Sequence, residues 1–142
     1  MASAAVAIRP AGAADVEAVA ALDREAATGR ERLADLQSAL VEDRLLVAER
    51  EGEIVGYAIH GRFFEFDFIE LLVVRPRYRR TGVATALVAG IESRSRTGKL
   101  FTSTNRSNIA MQRLCAHLGY LPSGVVENLD DGDPELFFVK RL

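Results

Sequence analysis

The sequence predicts an α/β domain in which a mixed sheet of seven strands is covered by four helices. Three observations carry this. The apolar spacing switches between a helical period and short β-rich runs several times along the chain. The resulting order, β-α-α-β-β-β-α-β-α-β-β, places some strands in hairpins and separates others by helices. The length of 142 residues, 49% of them hydrophobic, suits one domain, 1–142, with a real core.

Ala4 to Arg9 is the first strand. Asp15 to Ala26 carries Val16, Val19, Ala20 and Leu22 at helical spacing, and Arg30 to Val41 carries Leu33, Leu36 and Leu40 in the same way. Thr28-Gly29 breaks the two helices apart. Leu45 to Glu49 and Ile54 to Phe64 flank Glu51-Gly52 as a hairpin. After a turn at Glu65 to Asp67, Phe68 to Val74 is apolar except for Glu70, the pattern of a strand buried on both faces. Pro76 stops it. Val83, Leu87, Val88 and Ile91 mark a helix from Gly82 to about Arg96. Gly90 inside it costs about 1 kcal/mol relative to Ala, which points to close packing there. Leu100 to Thr104 is a strand. Ser107 or Asn108 caps a helix to His117 or Leu118, and Gly119 ends it. Val125 to Asn128 and Leu136 to Lys140 close the chain as a hairpin around Asp131-Gly132.

Composition excludes several classes. A net charge of -2 gives no basic face for nucleic acid. The single cysteine, Cys115, makes neither an internal disulfide nor a Cys-based zinc site, and His60 and His117 stand apart, so no metal is expected. The small apolar start is interrupted by Arg9 and Pro10, too early for a signal peptide. No apolar run reaches the length of about 18 residues that a membrane span needs. The expected setting is a reducing cytoplasm.

The chemistry concentrates in Ile69-Glu70-Leu71-Leu72-Val73-Val74-Arg75-Pro76-Arg77-Tyr78-Arg79-Arg80-Thr81-Gly82-Val83-Ala84. A strand runs into a basic loop and then into a helix that starts on Gly82 and Ala84. A helix N-terminus offers unpaired N–H groups and a positive dipole end. Small residues there let a phosphate approach the backbone, and Arg75, Arg77, Arg79 and Arg80 add positive charge. The combination suits a pyrophosphate; a solvated basic loop over an ordinary helix is the plainer reading. Neither a P-loop nor a dinucleotide fingerprint is present.

Arg79-Arg80-Thr81-Gly82-Val83-Ala84 matches the Arg/Gln-x-x-Gly-x-Gly/Ala signature of the GNAT family, the GCN5-related N-acetyltransferases. The helix Asn108-Ile109-Ala110-Met111-Gln112-Arg113-Leu114-Cys115-Ala116-His117-Leu118-Gly119-Tyr120 resembles the family's second motif, and the element order is similar over nearly the whole chain. The resemblance implies a splayed, mostly antiparallel sheet with acetyl-CoA, the acyl donor, between the strand ending at Val74 and the strand ending near Thr104. The backbone of Leu72, Val73 and Val74 would pair with the pantetheine arm. The N–H groups of Arg79, Arg80, Thr81, Gly82, Val83, Ala84 and Thr85 would hold the pyrophosphate. Asn108 would lie along the pantetheine arm, and it also reads as a plain N-cap.

In this family an amine attacks the thioester directly, so the protein removes a proton, polarises the carbonyl and meets the departing thiolate. Glu70 is the candidate base, since a carboxylate enclosed by apolar neighbours serves near neutral pH. A structural carboxylate paired with an arginine, or one facing solvent at the splay, is the alternative. Cys115 stands where the family usually has the Tyr that acts as acid. Met111, Leu114, Cys115 and Leu118 share one helix face, which makes Cys115 a core residue by pattern. Water, or another residue such as Tyr120, would then protonate the thiolate, though Tyr120 is itself expected to pack. Glu127, Asp130, Asp131, Asp133 and Glu135 form a solvated loop or attract a cationic amine. Phe63, Phe64, Phe66 and Phe68 are core or line an acceptor pocket.

The expectation is therefore an N-acetyltransferase acting on the amine of a small molecule or peptide, with a catalytically weak CoA-binding sensor as the alternative. Beyond acetyl-CoA and the amine, a homodimer through the sheet edge or last hairpin is the one partner considered; nucleic acid and membrane are not expected.

Overall fold

The structure, a computed structural model, describes residues 5–26 and 32–142. The expected Thr28-Gly29 break, the residue Ala4 and the helix start at Arg30 fall outside these. The elements are β1 (Ala7–Pro10), α1 (Val16–Ala26), α2 (Leu33–Val41), β2 (Leu45–Arg50), β3 (Glu53–Phe63), β4 (Phe66–Val74), α3 (Val83–Arg94), β5 (Lys99–Asn105), α4 (Ile109–His117), β6 (Leu121–Val126) and β7 (Glu135–Arg141). Short 3-10 turns precede α1 and follow β4. The expected order of strands and helices is the observed one. The seven strands form one sheet in the order β1-β2-β3-β4-β5-β7-β6. Among the described residues no helix is long and apolar enough to cross a membrane.

The chain forms two compact units, Met1–His60 with Leu71–Ser93, and Gly61–Glu70 with Arg94–Leu142. The first unit holds the antiparallel ladders of β1 with β2 and β2 with β3. Its core joins Val19 and Leu22 of α1, Leu36 and Ala39 of α2, and Leu45, Val47, Tyr57 and Ile59 of the strands. Of these, Val19, Leu22 and Leu36 are marked by helical spacing in the sequence, while Leu33, marked in the same way, is exposed. A buried carboxylate is bonded to this core through Tyr57. Asp23, 3% exposed, accepts from Tyr57 Oη at 2.6 Å and from Arg32 Nη1 at 2.8 Å. A buried carboxylate needs such partners. Helix α3 buries Val83, Leu87, Val88, Gly90 and Ile91, so the interior glycine is packed, as expected.

In the second unit β5 pairs antiparallel with β7, and β7 with β6. Strand β4 runs parallel to β5 over three residue pairs, Asp67–Leu100, Phe68–Phe101 and Ile69–Thr102. Phe63 meets Phe64, Phe68, Phe101 and Phe137 at ring-centroid distances of 4.9–5.6 Å.

Three expectations need correction. Strand β4 begins at Phe66, because Phe64 adopts a φ of 57° and the chain reverses within two residues. Nor is β4 buried on both faces. Only Ile69 is buried, since the ladder to β5 covers three residues and the rest of the strand is half-buried or open. Strand β6 spans Leu121–Val126 rather than Val125–Asn128. Pro122 and Gly124 disguise it in the sequence, and its register shifts between them. All six residues are exposed on an outermost strand, where proline is tolerated.

Candidate active site

In the first unit β4 delivers the chain to a loop that ends on the N-terminus of α3. Arg75 N donates back to Val55 O at 2.8 Å, which holds the end of β4. A 3-10 turn over Pro76–Tyr78 follows, and then Arg80 and Gly82 take φ values of 63° and 88°. Through these two left-handed positions the chain turns into the start of α3. No atom lies within 4 Å of a β-carbon built at Gly82, so its positive φ, rather than crowding, is what requires glycine.

The first intrahelical bond of α3 runs from Ala86 N to Gly82 O at 3.0 Å. The amides of Gly82, Val83, Ala84 and Thr85 therefore lie ahead of the ladder, as the first turn of any helix dictates. Thr81 and Gly82 are exposed, Val83 points its side chain into the core, and Ala84 is half-buried. Close approach of β3 and α3 sets this helix in place. A β-carbon at Gly56 would stand 2.8 Å from Val83 Cγ1, 3.0 Å from Val73 O and 3.3 Å from Leu87 Cδ1.

The basic loop is less positive than the sequence suggests. Arg75 Nη1 contacts Glu25 Oε2 at 2.5 Å, and its Nη2 donates to Ile54 O at 3.3 Å. Arg77 is ion-paired with Glu53, whose carboxyl it holds below the usual carboxylate range. Tyr78 Oη also donates to Glu53, at 3.2 Å. Two of the four arginines are thus neutralised by carboxylates, while Arg79 and Arg80 are exposed at the start of the N–H array. Sequence reasoning missed Arg50. Its Nη2 donates to Thr81 O at 3.4 Å, and its guanidinium lies 5.8 Å from the centre of the Tyr78 ring. Nothing local in the sequence ties position 50 to position 81.

The second unit holds the other candidates. Glu70 is exposed, not enclosed by apolar neighbours as expected, because it follows the last residue of β4 that pairs with β5. Its carboxylate lies directly over Gly61 of β3. Asn108 caps α4, with Oδ1 accepting from Met111 N at 3.1 Å. That bond uses the carbonyl end of the amide and is compatible with a ligand at Nδ2. Cys115 is 2% exposed, and burial pushes its thiol up to about 11. It is a core residue of α4. Tyr120 is 4% exposed, its N donates to Cys115 O at 2.9 Å, and Lys140 Nζ lies 5.6 Å from its ring centre. Packing accounts for both side chains.

The acidic loop between β6 and β7 is partly tied down. Asp133 accepts from Ser107 N and Oγ, Asp130 from Asn105 Nδ2, and Glu135 from Ser103 Oγ. Those three carboxylates anchor the loop to β5 and the start of α4. His60 donates its backbone N–H to Arg44 O, and His117 is exposed in the last turn of α4. Among the described residues no three His, Cys, Asp or Glu side chains gather as metal ligands.

Residues 16–120 match the family model described as acetyltransferase (GNAT) family. A GNAT-family acetyltransferase from Bacillus cereus is 32% identical and superimposes with a TM-score of 0.90, covering 96% of this chain and 97% of that one. A ribosomal-protein-alanine N-acetyltransferase from Brucella melitensis is 28% identical, with a TM-score of 0.75 and coverage of 96% and 99%. The yncA protein from Salmonella typhimurium, solved with its cofactor acetyl-CoA, is 21% identical, with a TM-score of 0.74 and coverage of 96% and 94%; it shares the fold. No curated protein matches the chain in sequence.

Proposed function

The chain belongs to the GNAT acetyltransferase family, and from that premise we propose that it transfers an acetyl group from acetyl-CoA to an amine of a small molecule or peptide. The observation that carries this reading is the first turn of α3. Its amides from Gly82 to Thr85 precede the helical ladder, behind a loop turned by Arg80 and Gly82. That array suits a pyrophosphate, with Arg79 and Arg80 as its cations. The backbone of Leu72, Val73 and Val74 would pair with the pantetheine arm.

The reaction assigned to these groups is direct attack. The amine nitrogen bonds to the thioester carbonyl carbon and the carbon–sulfur bond breaks. Glu70 takes the amine proton as general base. The thiolate takes its proton from water, a role that the burial of Cys115 leaves to solvent. An alanine peptide is the first acceptor to try, since the Brucella relative is named a ribosomal-protein-alanine N-acetyltransferase.

One observation favours a second reading, a CoA-binding module without turnover: the buried Cys115 stands where the family usually has its acid. Calorimetric titration with acetyl-CoA, repeated on Gly82→Glu, tests the donor site. The expected result is binding in the micromolar range that the variant loses. A panel of N-terminal-alanine peptides, polyamines and amino acids, followed by CoA thiol release, then separates the readings. Binding without thiol release on any amine leaves the module; absence of binding to any acyl-CoA overturns both.

A further inference from the structure

Gly61 lies buried in the interior of β3, where glycine weakens a strand. Its φ is outside the left-handed region, so conformational freedom does not explain it. Space does. A β-carbon built there would stand 2.1 Å from Oε1 of Glu70, 2.9 Å from its Cδ and 3.4 Å from its Cγ. All three contacts are to one side chain. The carboxylate of Glu70 rests on the bare backbone of Gly61, in the place that any other residue would fill.

We infer that Gly61 is a positioning residue: its missing side chain is the seat that fixes the Glu70 carboxylate for proton removal from the acceptor amine. This rests on the reading of Glu70 as base. Glu70 is exposed on β4, and the place its carboxylate takes is one that only a residue without a side chain at 61 leaves open. A base must keep within hydrogen-bond reach of the proton it removes. With no side chain at position 61 the carboxylate can take this place, which a β-carbon would fill. An alanine would force the carboxylate back by about 1 Å or more to reach ordinary van der Waals contact. The group that must yield is the far end of a flexible, exposed side chain. The substitution therefore moves the carboxylate more than it disturbs the strand.

The test compares Gly61→Ala, Glu70→Gln and the double variant on the amine panel, with acetyl-CoA as donor. The expected result for Gly61→Ala is a kcat lower by about 10- to 100-fold, an unchanged KM for acetyl-CoA and an unchanged thermal midpoint. On the Glu70→Gln background, Gly61→Ala should cost nothing further, since the group it displaces is already inert. If Gly61→Ala matches wild type while Glu70→Gln is dead, the seat is overturned and the base reading stands. If Glu70→Gln keeps wild-type turnover, or wild type turns over no amine, the base reading falls and takes the seat with it. Should Gly61→Ala fail to fold, Gly61→Ala with Glu70→Ala decides. Recovery of the wild-type midpoint supports the seat, and a double variant as unstable as the single overturns it.

Discussion

Gly56 of β3 and Val83 of α3 approach so closely that a β-carbon on the glycine would stand 2.8 Å from Val83 Cγ1. The same β-carbon would lie 3.0 Å from the carbonyl oxygen of Val73, which cannot swing aside as a side chain can. The glycine thus sets how near α3 comes to the sheet, and with it where the first turn of α3 stands. Gly56→Ala should destabilise the fold by about 1–3 kcal/mol, the cost of overpacking a tight core. It should also weaken acetyl-CoA binding. Thermal unfolding and calorimetry on one preparation check both, and a variant with native stability and affinity would show that α3 is not held there.

The arginines around the loop should divide into two classes. Arg79→Ala and Arg80→Ala should each weaken acetyl-CoA binding several-fold, with the loss shrinking as salt rises, because each removes a cation beside the N–H array. Arg77→Ala should leave affinity nearly unchanged, since its charge is already matched by Glu53. Its effect on stability should be small, as for other exposed pairs. Titrations at two salt concentrations separate the classes.

That division shows what a sequence can and cannot state. The fold was legible because its cause is local. Val19 and Leu22 of α1 and Leu36 of α2 stand at the expected helical spacing and lie in the core, whereas Leu33 is exposed and Ala39 is buried in its place. Gly82 was legible because a tight helix entry leaves a recognisable string of residues. The charge state of the loop was not, because Arg75 meets Glu25 fifty positions away and Arg77 meets Glu53 twenty-four away. Strand β6 hid behind Pro122 and Gly124, and the turn at Phe64 behind a residue that rarely takes a positive φ. Glu70 stood out as the lone charge in an apolar run, yet nothing in the run told that its carboxylate would lie on Gly61.

Tyr57→Phe should be costly although it removes a single oxygen. Asp23 is 3% exposed and shares Oδ1 between Tyr57 Oη at 2.6 Å and Arg32 Nη1 at 2.8 Å. Removing the hydroxyl leaves a buried carboxylate short of a donor, at a cost of about 1–3 kcal/mol. Denaturant melts of Tyr57→Phe and Asp23→Asn, with their double variant, should give a non-additive cycle. Additive costs would mean that the two groups do not act together.

Cys115 gives a prediction with a definite pH sign. Burial raises its thiol from 9.0 to about 11 in the folded protein. A group whose pKa is raised on folding favours the folded state while it stays protonated. That contribution is fully present below the unfolded value and is lost as pH climbs through the folded one. Wild-type stability should therefore fall more steeply than that of Cys115→Ala between about pH 9 and pH 11, and the two should run parallel below that window. Denaturant midpoints of both proteins across the range provide the measurement, since other groups titrating there cancel in the difference. Turnover by Cys115→Ala should stay close to wild type at pH 7–8 under the reading in which water protonates the thiolate. A loss of about 100-fold or more with binding intact would instead assign the proton to this thiol.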